Sequence, residues 1–124
     1  MKNTVLAITI TTIWITFWEL LRNEILFKSY WLNHFESLGL EFATLPINGI
    51  LWTVWSLLLA IFIFKLLQKF TLKEVLILAW IPAFLMMWIT AFNLQMLPLS
   101  LLFFAIPLSL IEVLVAVLIL RRLT

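Results

Sequence analysis

Four long apolar runs constrain the fold of this chain more than any other feature. They cover Thr4–Leu21, Ile47–Phe64, Val75–Leu97 and Leu99–Leu120, and they fill most of the 124 residues. A helix needs roughly 20 residues to cross a hydrocarbon core of about 30 Å, and each run is close to that length. The sequence therefore predicts an all-α membrane protein, an antiparallel bundle of four transmembrane helices.

The predicted boundaries make the whole chain, 1–124, a single transmembrane domain. The four spans are expected at 4–22, 47–67, 74–96 and 98–120, with an amphipathic outer segment at 24–38 between the first two. In this segment aromatic and other apolar residues recur every three or four positions, and polar residues fall largely on the other side of the helix. This pattern is typical of a helix lying flat at the membrane surface. A straight extension of the first helix beyond the bilayer is the alternative.

The composition leaves no room for an aqueous domain. The chain is 65% hydrophobic and 11% charged, whereas soluble domains are about 25% charged. A net charge of +2 is too small to indicate nucleic acid as a partner. The absence of Cys excludes disulfides, thiolate metal sites and a cysteine nucleophile.

The placement of the basic residues predicts the orientation. Six of the eight Lys and Arg precede span one, lie between spans two and three or follow span four: Lys2, Lys65, Lys69, Lys73, Arg121 and Arg122. Only Arg22 and Lys28 lie between spans one and two. Because basic residues stay on the cytoplasmic side, we expect a multi-pass protein of the inner or plasma membrane with both termini in the cytoplasm.

Local signals predict where the helices begin, bend and end. Thr71 and Glu74 fit a capping box at the start of span three, and Gly39 is placed to end the amphipathic helix in a left-handed cap. Pro46 and Pro98 suit the first turns of spans two and four. Pro82 and Pro107 lie inside spans three and four and should bend them.

Small and polar residues recur along each span and predict the faces that pack together. In span one the stripe is Thr9, Thr12, Thr16, Glu19 and Asn23; in span two Gly49, Thr53, Ser56 and Ala60; in span three Ala83, Met86 or Met87, Thr90 and Asn93; in span four Ala105, Ser109, Glu112 and Ala116. We expect these stripes to face inward. For the hydroxyl residues, packing is favoured over a functional role.

Glu112 is the strongest candidate for a functional residue. It lies nine residues before Arg121, about 13 Å along a helix, and a carboxyl group at that depth is costly and typically functional. Thr9, Thr12, Thr16 and Ser109 are the candidate polar neighbours, so that these residues would form an intramembrane transport path. No Lys or Arg is expected at this level, so Glu112 should be protonated unless a partner subunit supplies a cation. A purely structural role, fixing helix register, remains open.

A second group of polar residues is predicted at the outer ends of the spans. It comprises Glu19, Arg22, Asn23, Asn48, Thr90, Asn93 and Gln95. Glu19 and Arg22 are three residues apart and can pair. The group could line an outward vestibule, although helix ends are commonly polar.

Most of the seven tryptophans fall in the outer half of the predicted bundle. Trp14, Trp55 and Trp88 are expected one or two turns below the interfacial belt, where they could line a pocket for a hydrophobic ligand or lipid. Belt residues on tilted helices would give the same pattern. No other cofactor is indicated.

No catalytic or metal-binding set is visible in the sequence. His34 is the only histidine and the chain has no Asp, which makes a metal site or a nucleophile–histidine–acid arrangement a poor fit.

The chain also resembles small bacterial four-helix integral membrane proteins that have no assigned activity. The residues that carry the resemblance are Trp18-Glu19-Leu20-Leu21-Arg22-Asn23, Tyr30-Trp31 with His34, Pro46-Ile47-Asn48-Gly49, and Ala105-Ile106-Pro107-Leu108-Ser109-Leu110-Ile111-Glu112. The resemblance implies four spans and no particular activity.

Three functions are consistent with these features. The first is a non-enzymatic accessory, assembly or lipid-contacting subunit whose partners are membrane lipids and further copies of this chain or other membrane subunits. The second is a small oligomeric transporter or channel that uses Glu112 and the Thr9, Thr12 and Thr16 stripe as a proton or cation relay. The third is a binder of a hydrophobic cofactor or lipid in the tryptophan-rich outer half.

Overall fold

The protein is helical, and its computed structural model describes residues 3–41 and 46–124. Of these residues 86% are helical and none forms a strand. The helices are α1 (Thr4–Leu20), α2 (Lys28–Ser37), α3 (Pro46–Leu67), α4 (Leu72–Trp80), α5 (Met86–Asn93) and α6 (Leu102–Leu123). Lys2, one of the residues behind the predicted orientation, lies outside the described residues.

Short stretches of other helix types join these helices into four long ones. π-Helical turns at Leu21–Leu26 and Ile81–Leu85 extend α1 and join α4 to α5, and a 3₁₀ turn at Leu99–Leu101 precedes α6. The resulting segments are Thr4–Leu26, Pro46–Leu67, Leu72–Asn93 and Leu99–Leu123, which we number spans 1 to 4. All four are long and apolar enough to cross a membrane, which confirms this part of the predicted fold class.

The spans pack through small residues and expose large ones. Span 1 contacts spans 2 and 4, and α4 of span 3 contacts spans 2 and 4. Buried small residues include Ala7, Ser56, Ala60, Ala79, Ala105, Ser109 and Ala116. Val5, Ile13, Leu58, Ile89 and Phe103 are among the most exposed large hydrophobic residues. Small side chains let helix backbones approach closely, which is the usual packing of helices in an apolar solvent.

The predicted inward stripe is displaced in span 1. Ala7, Thr11, Ile15 and Glu19 are the buried residues of α1, whereas Thr9 is exposed. The buried positions recur every four residues, so they lie on one face of a helix. Span 4 follows the expectation, because Ala105, Ser109, Glu112 and Ala116 are all buried.

The predicted signals at helix ends are confirmed. The Thr71 hydroxyl accepts from the Glu74 amide, and the Glu74 carboxylate accepts from the Thr71 amide, so that α4 begins at Leu72 with a complete capping box. Gly39 has a positive φ of 71°, and the Leu40 amide donates to the Phe35 carbonyl at 2.9 Å. This is the left-handed cap that only glycine adopts at low cost.

The amphipathic segment is a separate helix and not an extension of span 1. Helical geometry breaks at Phe27 (φ −122°, ψ 19°). Beyond the break, Trp31 Nε1 donates to Asn23 Oδ1 at 3.1 Å, although eight residues of straight helix would separate these positions by about 12 Å. His34 Nε2 lies 2.8 Å from the carbonyl oxygen of Gln95, which follows span 3. Helix α2 therefore folds back across the ends of the spans.

The two internal prolines have different effects on their helices. Pro82 lies in the π-helical turn that joins α4 to α5, where the missing amide donor is accommodated by a change of helix type. Pro107 lies inside α6, which continues through it.

The capping box gives a direct test of the local structure. We expect Thr71→Ala to lower the free energy of unfolding by about 1 kcal/mol, because the orphan amide at the start of α4 loses its acceptor. Thr53→Ala is the matched control, since the exposed Thr53 hydroxyl donates only to the Gly49 carbonyl of its own helix. Denaturant titration in detergent, followed by tryptophan fluorescence, measures both. Equal effects of the two substitutions would contradict the capping role.

Candidate ligand-binding site

A cavity of about 770 Å³ lies among spans 1, 2 and 3 and helix α2. One part of its wall is polar: Glu19, Arg22, Asn23 and Asn48. Another part is aromatic: Trp31, Phe35, Trp52, Trp55 and Trp88. Leu101 and Ala105 of span 4 contribute to the lining. The volume falls in the range of about 300–1,000 Å³ that is typical of small-molecule sites.

The polar wall is organised around a buried ion pair. Arg22 Nη2 donates to Glu19 Oε2 at 2.5 Å, and the exposed fractions are 4% for Arg22 and 2% for Glu19. Asn23 Nδ2 donates to the same carboxylate oxygen at 2.9 Å. Asn23 in turn accepts the hydrogen bond from Trp31 of α2. One carboxylate oxygen of Glu19 thus holds two side chains of the π-helical turn, and the second of these anchors α2.

The π-helical turn explains how span 1 presents this cluster. The turn covers Leu21–Leu26 and includes both Arg22 and Asn23. A π-helical turn rotates the following side chains relative to a regular α-helix, and such turns occur frequently at functional sites. The Arg22 guanidinium then lies 5.2 Å from the centre of the Phe84 ring in span 3, a distance at which a cation is attracted by the ring.

Glu112 is fully buried and belongs to the same electrostatic cluster. Its exposed fraction is 0%, and the charges of both Glu19 and Arg22 act on its carboxyl group. The positive charge of Arg22 therefore acts on Glu112, which the spacing of residues along the helices did not predict.

Several buried atoms of this cluster have no hydrogen-bond partner among the described residues. They are Thr16 Oγ1, Glu19 Oε1, Arg22 Nη1, Glu112 Oε1 and Glu112 Oε2. A buried polar atom without a partner costs about 1–3 kcal/mol, so native structures contain few of them, and each calls for an explanation. Here all five belong to residues on or next to the polar wall, which indicates that water, a proton or a ligand completes the site.

The predicted hydroxyl path does not converge on Glu112. Thr9 and Thr12 donate to the carbonyls of Val5 and Ile8 in their own helix, each at 2.8 Å. Ser109 accepts from Trp80 Nε1 at 2.9 Å and donates to the Ile106 carbonyl. Thr16 is the one predicted threonine whose buried hydroxyl is unsatisfied within the described part of the chain.

The predicted tryptophans separate into two groups. Trp55 and Trp88 line the cavity, whereas Trp14 does not. Trp14 stacks on Trp18 with ring centres 5.1 Å apart. The Trp14 indole donates to the backbone carbonyl of Glu112, and the Trp18 indole donates to that of Leu108. Trp14 therefore tethers span 1 to span 4.

The cavity tryptophans belong to a connected set of ring contacts. Trp52 meets Trp55 edge to face with centres 5.4 Å apart, and Trp55 meets Phe84 in the same way at 5.8 Å. Phe84 and Trp88 are also 5.8 Å apart. Edge-to-face pairs fix ring orientation, so the aromatic wall is held in a defined geometry.

The predicted outer polar group is only partly brought together. Glu19, Arg22, Asn23 and Asn48 line the cavity, but Thr90 and Asn93 are exposed and are not among its lining residues. The Gln95 carbonyl meets His34 at the end of α2. Within 3–41 and 46–124, no group of three or more His, Cys, Asp or Glu side chains is placed to hold a metal ion.

Sequence reasoning missed Trp31, Trp52 and Phe84 as members of the site, and Thr11 as the buried threonine of span 1. Trp52 precedes Trp55 by three residues and Phe84 precedes Trp88 by four, so helical spacing alone could have added both. The contribution of Trp31 depends on the break at Phe27, for which the sequence has no Gly or Pro signal.

In comparisons with known proteins, no protein-family model, no curated protein and no solved structure matches the chain. The candidate site therefore rests on its own geometry.

The buried ion pair predicts a strongly asymmetric mutational response. Arg22→Met should lower the free energy of unfolding by about 3–5 kcal/mol, because it leaves the buried Glu19 carboxylate unpaired. Adding Glu19→Gln should restore much of that loss by removing the orphaned charge. Lys28→Met is the control: Lys28 and Glu24 form a partly exposed pair at 3.9 Å, worth at most about 1 kcal/mol. Detergent unfolding curves provide the comparison, and equal losses for Arg22→Met and Lys28→Met would refute the role of burial.

Proposed function

We propose that this protein is a multi-pass integral membrane protein that binds one amphiphilic molecule in the cavity between spans 1, 2 and 3. The apolar part of the ligand would lie against Trp52, Trp55 and Trp88, and its polar part against the Glu19–Arg22 cluster. The observation that supports this proposal is the cavity itself, which joins a rigid aromatic wall to buried polar atoms without partners. Ligand sites in proteins combine these two features.

The membrane setting is part of the proposal. The four spans would form an antiparallel bundle in the inner or plasma membrane, with the basic turn and both termini in the cytoplasm. Large hydrophobic side chains such as Phe103, Ile13 and Leu58 are exposed on the spans, and an acyl-chain environment would cover them. The cavity lies at the opposite end of the spans from Lys65 and Arg121, so it would open toward the outer leaflet.

The lining favours binding over catalysis. Among the described residues that line the cavity, none is Ser, Thr, Cys, His or Tyr, so no hydroxyl, thiol or imidazole nucleophile is present, and the acids Glu19 and Glu24 are paired with Arg22 and Lys28. The nearby Ser109 hydroxyl is engaged by Trp80 and Ile106. These features support the lipid-contacting, non-enzymatic function. A preformed cavity also favours ligand binding over a purely assembly role.

Gly49 allows the cavity to be filled without removing any native contact. It lines the cavity, and a Cβ atom built on it meets no heavy atom within 4 Å. We expect native mass spectrometry of the protein, purified in mild detergent, to show a bound amphiphile that Gly49→Phe abolishes. Leu58→Phe, on an exposed surface of the same helix, is the matched control and should retain it. A wild-type protein that never carries an adduct, or an adduct unaffected by Gly49→Phe, would contradict the proposal.

The orientation has a separate test, because the chain has no native cysteine. Gln68→Cys lies in the basic turn and Ser37→Cys lies near the end of α2, and both positions are exposed. In intact cells, a membrane-impermeant maleimide should label Ser37→Cys and leave Gln68→Cys unmodified until the membrane is permeabilised. The reverse pattern would overturn the orientation.

A further inference from the structure

The charge of the buried cluster is unbalanced. Glu19, Arg22 and Glu112 are exposed by 2%, 4% and 0%, so two acids share one base in an apolar surrounding. The rim pair of Lys28 and Glu24 is internally neutral. Spans 2 and 3 add no charge here, because their charged residues, Lys65, Lys73 and Glu74, lie near the basic turn. Full ionisation would leave one uncompensated negative charge.

An uncompensated buried charge is expensive in protein or lipid. The empty site therefore retains a proton on the fully buried Glu112. A positively charged ligand would remove the cost of the uncompensated charge in another way. Its charge would compensate the carboxylate that Arg22 does not neutralise, so that the proton could leave. The site has no net charge when it holds either one proton or one cation. Holding both, or neither, would leave a costly net charge buried in it.

The buried polar atoms without hydrogen-bond partners also indicate that the missing charge is positive. Three of them are carboxylate oxygens, Glu19 Oε1 and both oxygens of Glu112, against a single guanidinium nitrogen, Arg22 Nη1. Carboxylate oxygens only accept, and guanidinium nitrogens only donate. When both acids are ionised, the cluster thus has more unpartnered acceptors than donors and lacks positive charge, so an anionic ligand would worsen the imbalance.

The aromatic wall suits a cation as well. Four tryptophans line the cavity, Trp31, Trp52, Trp55 and Trp88, and tryptophan attracts cations more strongly than the other aromatic side chains. The site already contains one example of this contact, since the Arg22 guanidinium lies over the Phe84 ring at 5.2 Å. A lipophilic cation would find both charge compensation and apolar contact here.

We infer that the ligand is a lipophilic cation, such as an organic ammonium ion, and that it exchanges for one proton held by Glu112. This inference rests on the proposed binding function. The exchange is balanced: the protonated site takes up one cation of charge +1 and releases one H⁺, so the charge of the site does not change. Glu19 lines the cavity, and Glu112 acts through its electrostatic contact with Glu19. Among the residues that the structure describes, Glu19 and Arg22, both from span 1, bring charge to Glu112.

Two probes of similar shape and opposite charge test the sign of the site. Tetraphenylphosphonium should bind the purified wild-type protein in mild detergent and quench its tryptophan fluorescence, and tetraphenylborate should bind at least tenfold more weakly. Gly49→Phe should abolish the phosphonium binding. Equal or tighter binding of the borate would overturn the inference.

Proton exchange has its own readout. Calorimetry in buffers of different ionisation enthalpy should detect about one proton released per cation bound, and Kd should rise by up to about tenfold for each pH unit of acidification, since ligand and proton are reciprocally linked. In Glu112→Gln, proton release and the pH dependence should both be lost. Glu36→Gln, at an exposed position of α2, should behave as wild type.

The outcomes separate this inference from the proposed function. A bound lipid or other amphiphile that is neutral or anionic, and that Gly49→Phe displaces, would refute the cation inference and leave the binding function intact. Failure to find any ligand sensitive to Gly49→Phe would remove both. If Glu112→Gln does not fold, as judged by near-UV circular dichroism, proton release measured on the wild-type protein still decides the matter, and its absence contradicts the exchange.

Discussion

The buried pairing of Glu19 with Arg22 is the interaction on which the rest of the site depends. Removing both charges from water is costly, and their attraction offsets that cost only when the geometry is good and the remaining polar atoms are satisfied. Arg22 reaches Glu19 within a π-helical turn, and Asn23 connects the same carboxylate to Trp31. The ion pair therefore fixes the end of span 1 and the position of α2 together, and these two elements form one side of the cavity.

The aromatic wall of the cavity has ring contacts of its own, in addition to its contact with the ion pair. Trp55 and Trp88 both contact the fully buried Phe84, which ties spans 2 and 3 to each other. Arg22 is the link between the two walls, since its guanidinium binds Glu19 on one side and lies over Phe84 on the other. The polar and aromatic halves of the site are thus coupled through one side chain, so a ligand bound beside Glu19 also acts on the aromatic wall.

Local sequence signals predicted the helices, but not the contacts between them. Apolar runs gave the number of spans, and Thr71, Glu74 and Gly39 marked helix ends, because caps depend on a few neighbouring residues. The inward face of α1 was predicted correctly at Glu19 but not at Thr9, which is exposed while Thr11 is buried, since apolar and threonine side chains suit either environment in a membrane helix. The reach of Arg22 and the reversal at Phe27 could not be foreseen, because both arise from contacts with α2, span 3 and span 4.

A purely structural role for the polar cluster is difficult to reconcile with its unsatisfied atoms. Buried polar groups that only fix helix register are stabilising when every member is hydrogen-bonded, and a partly satisfied network is worse than an apolar one. Ser109 follows that rule, with both its donor and its acceptor functions used. Glu112 does not, since as a carboxylate it has no partner within the described residues, and only a proton would let it hydrogen-bond to Glu19. The same helix thus contains one polar residue that completes the packing and another that leaves capacity for a proton, and the second acts on Glu19, which lines the cavity.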